Sequence, residues 1–140
     1  MPVMTDEQRA AFLSRTRLGI FTQAREDGSP VAVPVWFEWD GTAVRIFSGE
    51  TSAKVIRARR DPRASLLVTN AVGEDEAWVA FDGRVTVAQA GAIELAERLA
   101  ERYWDMQRPD HKSLVAEWRK AAATLVLLTL TPERIRTNAE

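Results

Sequence analysis

Apolar and polar residues alternate along several stretches of the chain, a pattern typical of β-strands with one buried face. The clearest case is residues 31–39, where every odd-numbered position is apolar. Pro34 lies inside this stretch and cannot donate to a ladder, so the strand is expected at a sheet edge or a bulge. Further strands are predicted over residues 18–24, 43–48, 64–69, 77–88 and 124–130. The last is a continuous apolar run, predicted to be buried on both faces and to end at Thr131-Pro132.

Four helices are predicted, two from capping residues and two from the spacing of apolar residues. Residues 5–8 form a capping box, which predicts a helix to about Ser14. Residues 51 and 52 are good N-cap residues and open a short basic helix that stops at Asp61-Pro62. From Gly91 to Tyr103 the apolar residues follow a helical period, and a second helix is predicted over about 113–121.

The order of these elements predicts the fold class. Six strands follow one another in hairpins, and the helices do not alternate regularly with them, which argues against a doubly wound α/β sheet. A mainly β (α+β) architecture is expected, an antiparallel barrel with peripheral helices. The 140 residues contain no repeat or linker, so one domain over residues 1–140 is expected.

Composition removes several function classes. With 19 basic and 20 acidic residues the net charge is -1, so general binding to nucleic acid or membranes is not expected. Cysteine is absent, which excludes disulfides, thiolate catalysis and Cys-ligated zinc, and no metal site is predicted. The single histidine, His111, is read as a loop residue. No apolar run approaches membrane-spanning length, and a cytoplasmic protein is expected.

The start of the basic helix is the best candidate binding site. A helix N-terminus with a hydroxyl and a lysine beside it favours a phosphate, and Ser52, Lys54 and Arg57 lie in the first two turns. Ligand contact is favoured for Ser52 and Lys54. A solvated face with surface ion pairs is favoured for the later arginines, Arg59, Arg60 and Arg63.

Two tryptophans point away from apolar strand faces. Trp36 and Trp78 need cover from a helix, a partner subunit or a flat ligand. Trp104 and Trp118 lie at apolar helical spacing and are expected in the core. No catalytic acid, base or nucleophile can be named from the residues, so any catalysis would have to be carried by a cofactor.

The chain resembles the pyridoxamine 5'-phosphate oxidase-like, flavin-reductase-type split β-barrel superfamily over roughly residues 7–136. The resemblance is carried by short motifs in the family's order: Leu18-Gly19-Ile20-Phe21-Thr22, Asp27-Gly28-Ser29-Pro30, Val33-Pro34-Val35-Trp36-Phe37, Ser52-Ala53-Lys54, Arg59-Arg60-Asp61-Pro62-Arg63-Ala64-Ser65, Phe81-Asp82-Gly83 and the closing residues 125–134. It implies a six-stranded, Greek-key split barrel that forms a homodimer, with its cofactor in a groove between the subunits.

The resemblance also implies roles for particular residues. The Ser52-Ala53-Lys54 motif and the arginine segment are more like the branch that uses the deazaflavin F420, with FMN as the alternative cofactor. Lys54 would contact the cofactor phosphate, with Ser48, Ser52, Ala53 and Arg57 beside it. Pro34, Val35 and Trp36 would flank the ring system, together with the backbone of Phe47. Separately from the resemblance, we expect Trp78 to reach the site from the other subunit.

These implications lead to one main hypothesis. The chain is interpreted as an F420- or FMN-dependent oxidoreductase that transfers a hydride to or from a small unsaturated or carbonyl substrate. Two alternatives stay open at this point. One is a non-enzymatic carrier of a cofactor or a tetrapyrrole, haem or biliverdin, in which His111 would be the haem ligand. The other is a nucleic-acid-binding barrel that uses residues 57–63.

Overall fold

The computed structural model of the protein describes residues 3–138. Within that range it contains four α-helices and seven strands. The helices are α1 (Asp6–Ser14), α2 (Ala53–Arg60), α3 (Ala92–Tyr103) and α4 (Pro109–Lys120). The strands are β1 (Gly19–Ala24), β2 (Pro30–Val35), β3 (Glu38–Trp39), β4 (Val44–Gly49), β5 (Arg63–Thr69), β6 (Trp78–Ala88) and β7 (Leu125–Thr137).

All seven strands belong to one antiparallel sheet in the order β2-β1-β5-β6-β7-β4-β3. The two edge strands, β2 and β3, are consecutive in the chain and are joined by only Trp36 and Phe37. Two linking residues span about 10 Å at most, so the sheet must curl until its two edges nearly meet. The predicted antiparallel split barrel is therefore confirmed, with its split between β2 and β3.

The strand count differs from the prediction of six because residues 31–39 do not form one strand. The ladder breaks at Trp36-Phe37, where the chain crosses from one edge of the sheet to the other. Pro34 lies on the edge strand β2, as its missing N–H group predicts.

The prediction that the last strand ends at Thr131-Pro132 was wrong, because β7 continues to Thr137. Pro132 pairs with Gly83 where the register between β6 and β7 shifts. A proline is tolerated at such an irregularity because the ladder bond is already interrupted there. The glycine is required as well, since a Cβ atom added to Gly83 would lie 2.1 Å from the carbonyl oxygen of Thr131.

The helices follow their sequence signals with one correction. Helix α1 has the predicted capping box, in which Thr5 and Gln8 bond each other's backbone N–H groups. Helix α4 begins at Pro109 and not near residue 113, because proline is well suited to the first position of a helix. None of the helices among residues 3–138 is long and apolar enough to cross a membrane.

The core lies inside the curl of the sheet. Its largest fully buried side chains on the strands include Phe21, Leu66, Phe81 and Leu128. Each such side chain contributes about 1.5–3 kcal/mol of transfer free energy. Helix α2 adds Val55 to this core, which fixes the start of α2 against the barrel. Helices α3 and α4 are inserted between β6 and β7.

Candidate functional site

A surface groove of about 350 Å³ lies where the end of β2 meets β4 and the first turn of α2. Its lining residues are Leu18, Pro34, Val35, Trp36, Phe47 and Lys54. Five of these six were candidate site residues from the sequence. Leu18 was not, because the sequence placed it in the strand predicted over residues 18–24, whereas in the structure it immediately precedes β1 and is 53% exposed.

The start of α2 is built as an N-terminal cap. Ser52 is the N-cap residue, and its hydroxyl oxygen accepts the N–H of Val55 at 3.4 Å. The Ser48 hydroxyl donates to the same oxygen at 2.7 Å, which links the end of β4 to the helix. The first N–H groups of a helix have no intrahelical partners, so those of Ala53 and Lys54 remain available to an anion. Ser48, Ser52 and Ala53 thus lie beside the groove without lining it.

Lys54 brings a positive charge to the groove wall. Its side chain is half-buried, and the structure gives its ammonium group no hydrogen bond or ion pair within residues 3–138. The backbone of the same residue is held firmly, because its carbonyl oxygen accepts a bond from the buried side chain of Gln23 at 3.0 Å. Of the six groove-lining residues, Lys54 alone carries a titratable side chain.

The arginines that follow Lys54 do not line the groove. Arg57 is half-buried one turn after Lys54 and does not line the groove. Arg60 donates to the carbonyl of Ala24, and Arg63 pairs with Asp61 at 2.8 Å. The hydrogen bond from Arg63 lowers the pKa of Asp61 to about 2. The predicted surface ion pairing of the later arginines is confirmed for Arg63, which is exposed and pairs with Asp61.

The other end of the groove is aromatic. Trp36 stacks on Tyr103 with ring centroids 5.2 Å apart and planes within 5°, and it meets Trp104 edge-on at 4.7 Å. Trp118 lies 5.3 Å from Phe47 and 5.4 Å from Trp104, so α3 and α4 support the groove wall from behind. The prediction that Trp104 and Trp118 are core residues was wrong for Trp104, which is half-buried just after α3; Trp118 is also half-buried but packs against the core cluster of Ala92, Ala96 and Leu125. The sequence did not reveal that these five aromatic side chains converge.

The prediction that His111 is a loop residue was wrong, because α4 begins at Pro109 and places His111 in its first turn, on the far side of the same cluster. Its ring stacks on Trp104 with centroids 4.4 Å apart, and Nδ1 of His111 lies 2.8 Å from the carbonyl oxygen of Asp105. His111 does not line the groove. Residues 3–138 contain no cluster of three or more His, Asp or Glu side chains that could hold a metal ion.

Trp78 lies away from the groove, on the outer face of the sheet. It borders a second, wider depression of about 540 Å³, which Thr22, Leu67, Thr69 and Arg136 also line. Beside it, Arg136 bonds both carboxylate oxygens of Asp82, at 2.6 and 3.0 Å, and this pairing lowers the pKa of Asp82. Continuing the β1–β5 register by one residue beyond the Gly19–Val68 pair brings Leu18 opposite Thr69, which pairs with Trp78, so the outer face runs up to the edge of the groove.

The groove thus joins an anion-binding end to an aromatic end. Lys54 and the N-terminus of α2 suit a phosphate, whereas Trp36 and Phe47 suit a flat ring system. The described residues that line it include no carboxylate, imidazole, hydroxyl or thiol. The groove is therefore suited to binding and orienting a phosphate-bearing ring compound.

A family model and a known protein match most of this chain. The family model described as pyridoxamine 5'-phosphate oxidase matches residues 4–139. A similar protein is the F420H(2)-dependent biliverdin reductase of Mycobacterium tuberculosis, 33% identical over 111 residues that cover 76% of this chain and 77% of that protein.

Solved structures show the same fold. An F420 reductase superposes with a TM-score of 0.73 at 20% identity, covering 89% of this chain and 93% of the other. A FAD-binding protein from Mesorhizobium loti superposes with a TM-score of 0.66 at 18% identity, covering 97% and 93%. Because the family model spans nearly the whole chain and a relative exceeds 30% identity, the chain belongs to the pyridoxamine 5'-phosphate oxidase family.

Proposed function

We propose that this protein is an oxidoreductase that uses a flavin-type cofactor, F420 in preference to FMN. The hydride would pass to or from a small unsaturated or carbonyl substrate. The observation that carries the proposal is the groove itself, in which the unpaired ammonium of Lys54 faces the same space as Trp36 and Phe47. A flavin-type cofactor has a phosphate and a flat conjugated ring, and it supplies the redox chemistry that the side chains in the groove lack.

The preference for F420 is supported by the relatives. The biliverdin reductase at 33% identity is named for its dependence on F420H(2), and it is similar over three quarters of both chains. Its substrate is a conjugated tetrapyrrole, which is consistent with a groove that has an aromatic wall. FMN remains the alternative cofactor.

In this proposal the chain's own residues bind and orient. Lys54 and the N–H groups at the start of α2 hold the phosphate, with the hydroxyls of Ser48 and Ser52 fixing the shape of that turn. The backbone near Val35 and Phe47 positions the ring, and Trp36 covers one end of it. Arg57 contributes positive charge from one turn further along α2.

The same proposal includes a homodimer with the cofactor at the subunit interface. Leu18 and Leu67 are 53% and 39% exposed on the outer face of the sheet, and Trp78 is only half-buried there. A second copy packed on this face would cover all three residues. Since the outer face reaches the groove edge at Leu18, the partner's Trp78 could then complete the site.

A second candidate is a carrier that binds the cofactor or a tetrapyrrole without turnover. The absence of any acid or base other than Lys54 among the groove-lining residues favours it. The two functions differ in one measurement, the oxidation of F420H(2) in the presence of biliverdin. An enzyme oxidises the reduced cofactor over many turnovers, whereas a carrier shows binding without net oxidation.

The deciding experiment is a side-by-side titration of the purified protein with F420 and with FMN, followed by cofactor fluorescence. Tighter binding of F420 supports the proposal as stated. Tighter binding of FMN would identify FMN as the cofactor of the same groove. Binding of neither cofactor would contradict the assignment of the groove.

A further inference from the structure

Tyr103 is the last residue of α3 and does not line the groove, yet it contacts the backbone on both sides of it. Its hydroxyl donates to the carbonyl oxygen of Arg17 at 2.5 Å and accepts the N–H of Phe37 at 3.3 Å. Arg17 directly precedes Leu18, and Phe37 directly follows Trp36. Each bonded residue is therefore the neighbour of a groove-lining residue.

The position of this hydroxyl coincides with the end of the β1–β2 ladder. The last pair in that ladder is Gly19 with Val35. Continuing the register by two residues would bring Arg17 opposite Phe37, but neither residue is in a strand. The Tyr103 hydroxyl lies between these two residues and bonds to the backbone of each. It therefore keeps the segment at Arg17 and the segment at Phe37 apart beside the groove.

The ring of Tyr103 acts on the same place. It is stacked on Trp36 with centroids 5.2 Å apart and an interplanar angle of 5°, which fixes the plane of the indole that lines the groove. The phenol is partly buried, and burial raises its pKa. The hydroxyl donates to the backbone carbonyl of Arg17, and Tyr103 does not line the groove, so Tyr103 is suited to positioning and not to proton transfer.

We infer that Tyr103 is a positioning residue, which sets the orientation of Trp36 and the separation of Trp36 from Leu18. It thereby controls how well the groove accepts the ring of its ligand, without affecting the phosphate end at Lys54. The consequence for ligand binding rests on the proposed function, whereas the orientation of Trp36 is a property of the ligand-free protein.

The test compares Tyr103→Phe, which keeps the stacked ring and removes the hydroxyl, with the wild-type protein. The matched control is Arg98→Gln, which removes a different link between α3 and the same segment, the ion pair of Arg98 with Glu38. Acrylamide quenching of tryptophan fluorescence is measured without ligand. Quenching should rise in Tyr103→Phe and not in Arg98→Gln, and the rise should vanish when Trp36→Phe is added.

The second readout separates the two ends of the groove. Loss of the hydroxyl bridge should weaken F420 or FMN binding by about 3- to 10-fold, the usual effect of one hydrogen bond. The concentration of inorganic phosphate that displaces the cofactor should fall by the same factor, since phosphate itself binds unchanged.

Three outcomes decide between these ideas. Unchanged quenching in Tyr103→Phe would overturn the inference, because Trp36 would then be held by other contacts. Weakening of inorganic phosphate by the same factor as the cofactor would also overturn it, since the effect would not be confined to the ring end. If the wild-type protein binds neither cofactor, the proposed function fails while the quenching comparison still decides the role of Tyr103.

Discussion

Lys54 differs from Arg60 and Arg63, two other basic residues of this region, in what its charge can do. Arg60 and Arg63 are committed to the Ala24 carbonyl and the Asp61 carboxylate, respectively. The ammonium of Lys54 has no such partner within the described residues, and its half-buried position in the groove limits competition from water. A charged hydrogen bond from this group to a phosphate should contribute about 1.5–3 kcal/mol.

We therefore expect Lys54→Ala to weaken cofactor binding by about 10- to 100-fold, with the fold unchanged. Arg59→Ala is the matched control, because it removes the same charge from an exposed position on the same helix. The control should stay within about twofold of the wild-type affinity, since an exposed charge contributes little. Fluorescence titration measures both. Equal weakening in the two variants would show that only the net charge of α2 matters.

Among the structural elements, strands β6 and β7 approach each other closely at their register shift. At the register shift Gly83 lies so close to β7 that an added Cβ atom would be 2.1 Å from the Thr131 carbonyl oxygen and 2.9 Å from Cα of Pro132. The obstacle is backbone on both counts, so no side chain can turn away to relieve it. This shift lets β7 continue past Pro132 and close one side of the barrel.

Gly83→Ala should accordingly lower the free energy of unfolding by about 1–3 kcal/mol, the usual cost of forcing an extra carbon into a packed site. Gly49→Ala is the control, because Gly49 also lies in a strand and has nothing within 4 Å of the added atom. Urea unfolding should show the control at or slightly above wild-type stability. Equal destabilisation by the two substitutions would contradict the steric role assigned to Gly83.

The elements also show what the sequence could and could not predict. Alternation located most of the sheet, and the capping residues located the starts of α1 and α2, because these signals are local. The break at Trp36-Phe37 was not predicted, since the odd positions stay apolar through it and only the curl of the sheet requires the chain to leave the ladder. The end of β7 was predicted wrongly at Pro132, because the glycine that accommodates this proline, Gly83, is distant in sequence.

The candidate site divides in the same way. Ser52 and Lys54 were identified because an N-cap and a nearby lysine are adjacent in the chain. The support of Trp36 by Tyr103, Trp104 and Trp118 depends on how α3 and α4 pack behind β2 and β4, a contact over more than 60 residues that periodicity does not report. The family resemblance predicted most of the groove-lining residues, whereas the aromatic contacts behind Trp36 became visible only in the structure.

At the scale of the whole molecule, the outer face of the sheet is the surface on which we propose that a second copy packs. It exposes Leu18 and Leu67, and Trp78 borders the wide depression between them and Arg136. A standard interface buries about 800 Å² of each partner, roughly a tenth of the 8093 Å² surface described here. A second copy on this face would place two grooves at the margins of one interface.

We expect the wild-type protein to sediment as a dimer and Leu67→Lys to shift it toward the monomer, because a buried, unpaired ammonium is costly at an apolar interface. Cofactor binding should weaken in parallel, since the proposed site uses Trp78 of the second copy. Val72→Lys is the control, as Val72 is fully exposed in the loop before β6. It should remain a dimer with wild-type affinity. A monomeric wild-type protein that binds cofactor tightly would show that one subunit forms the whole site.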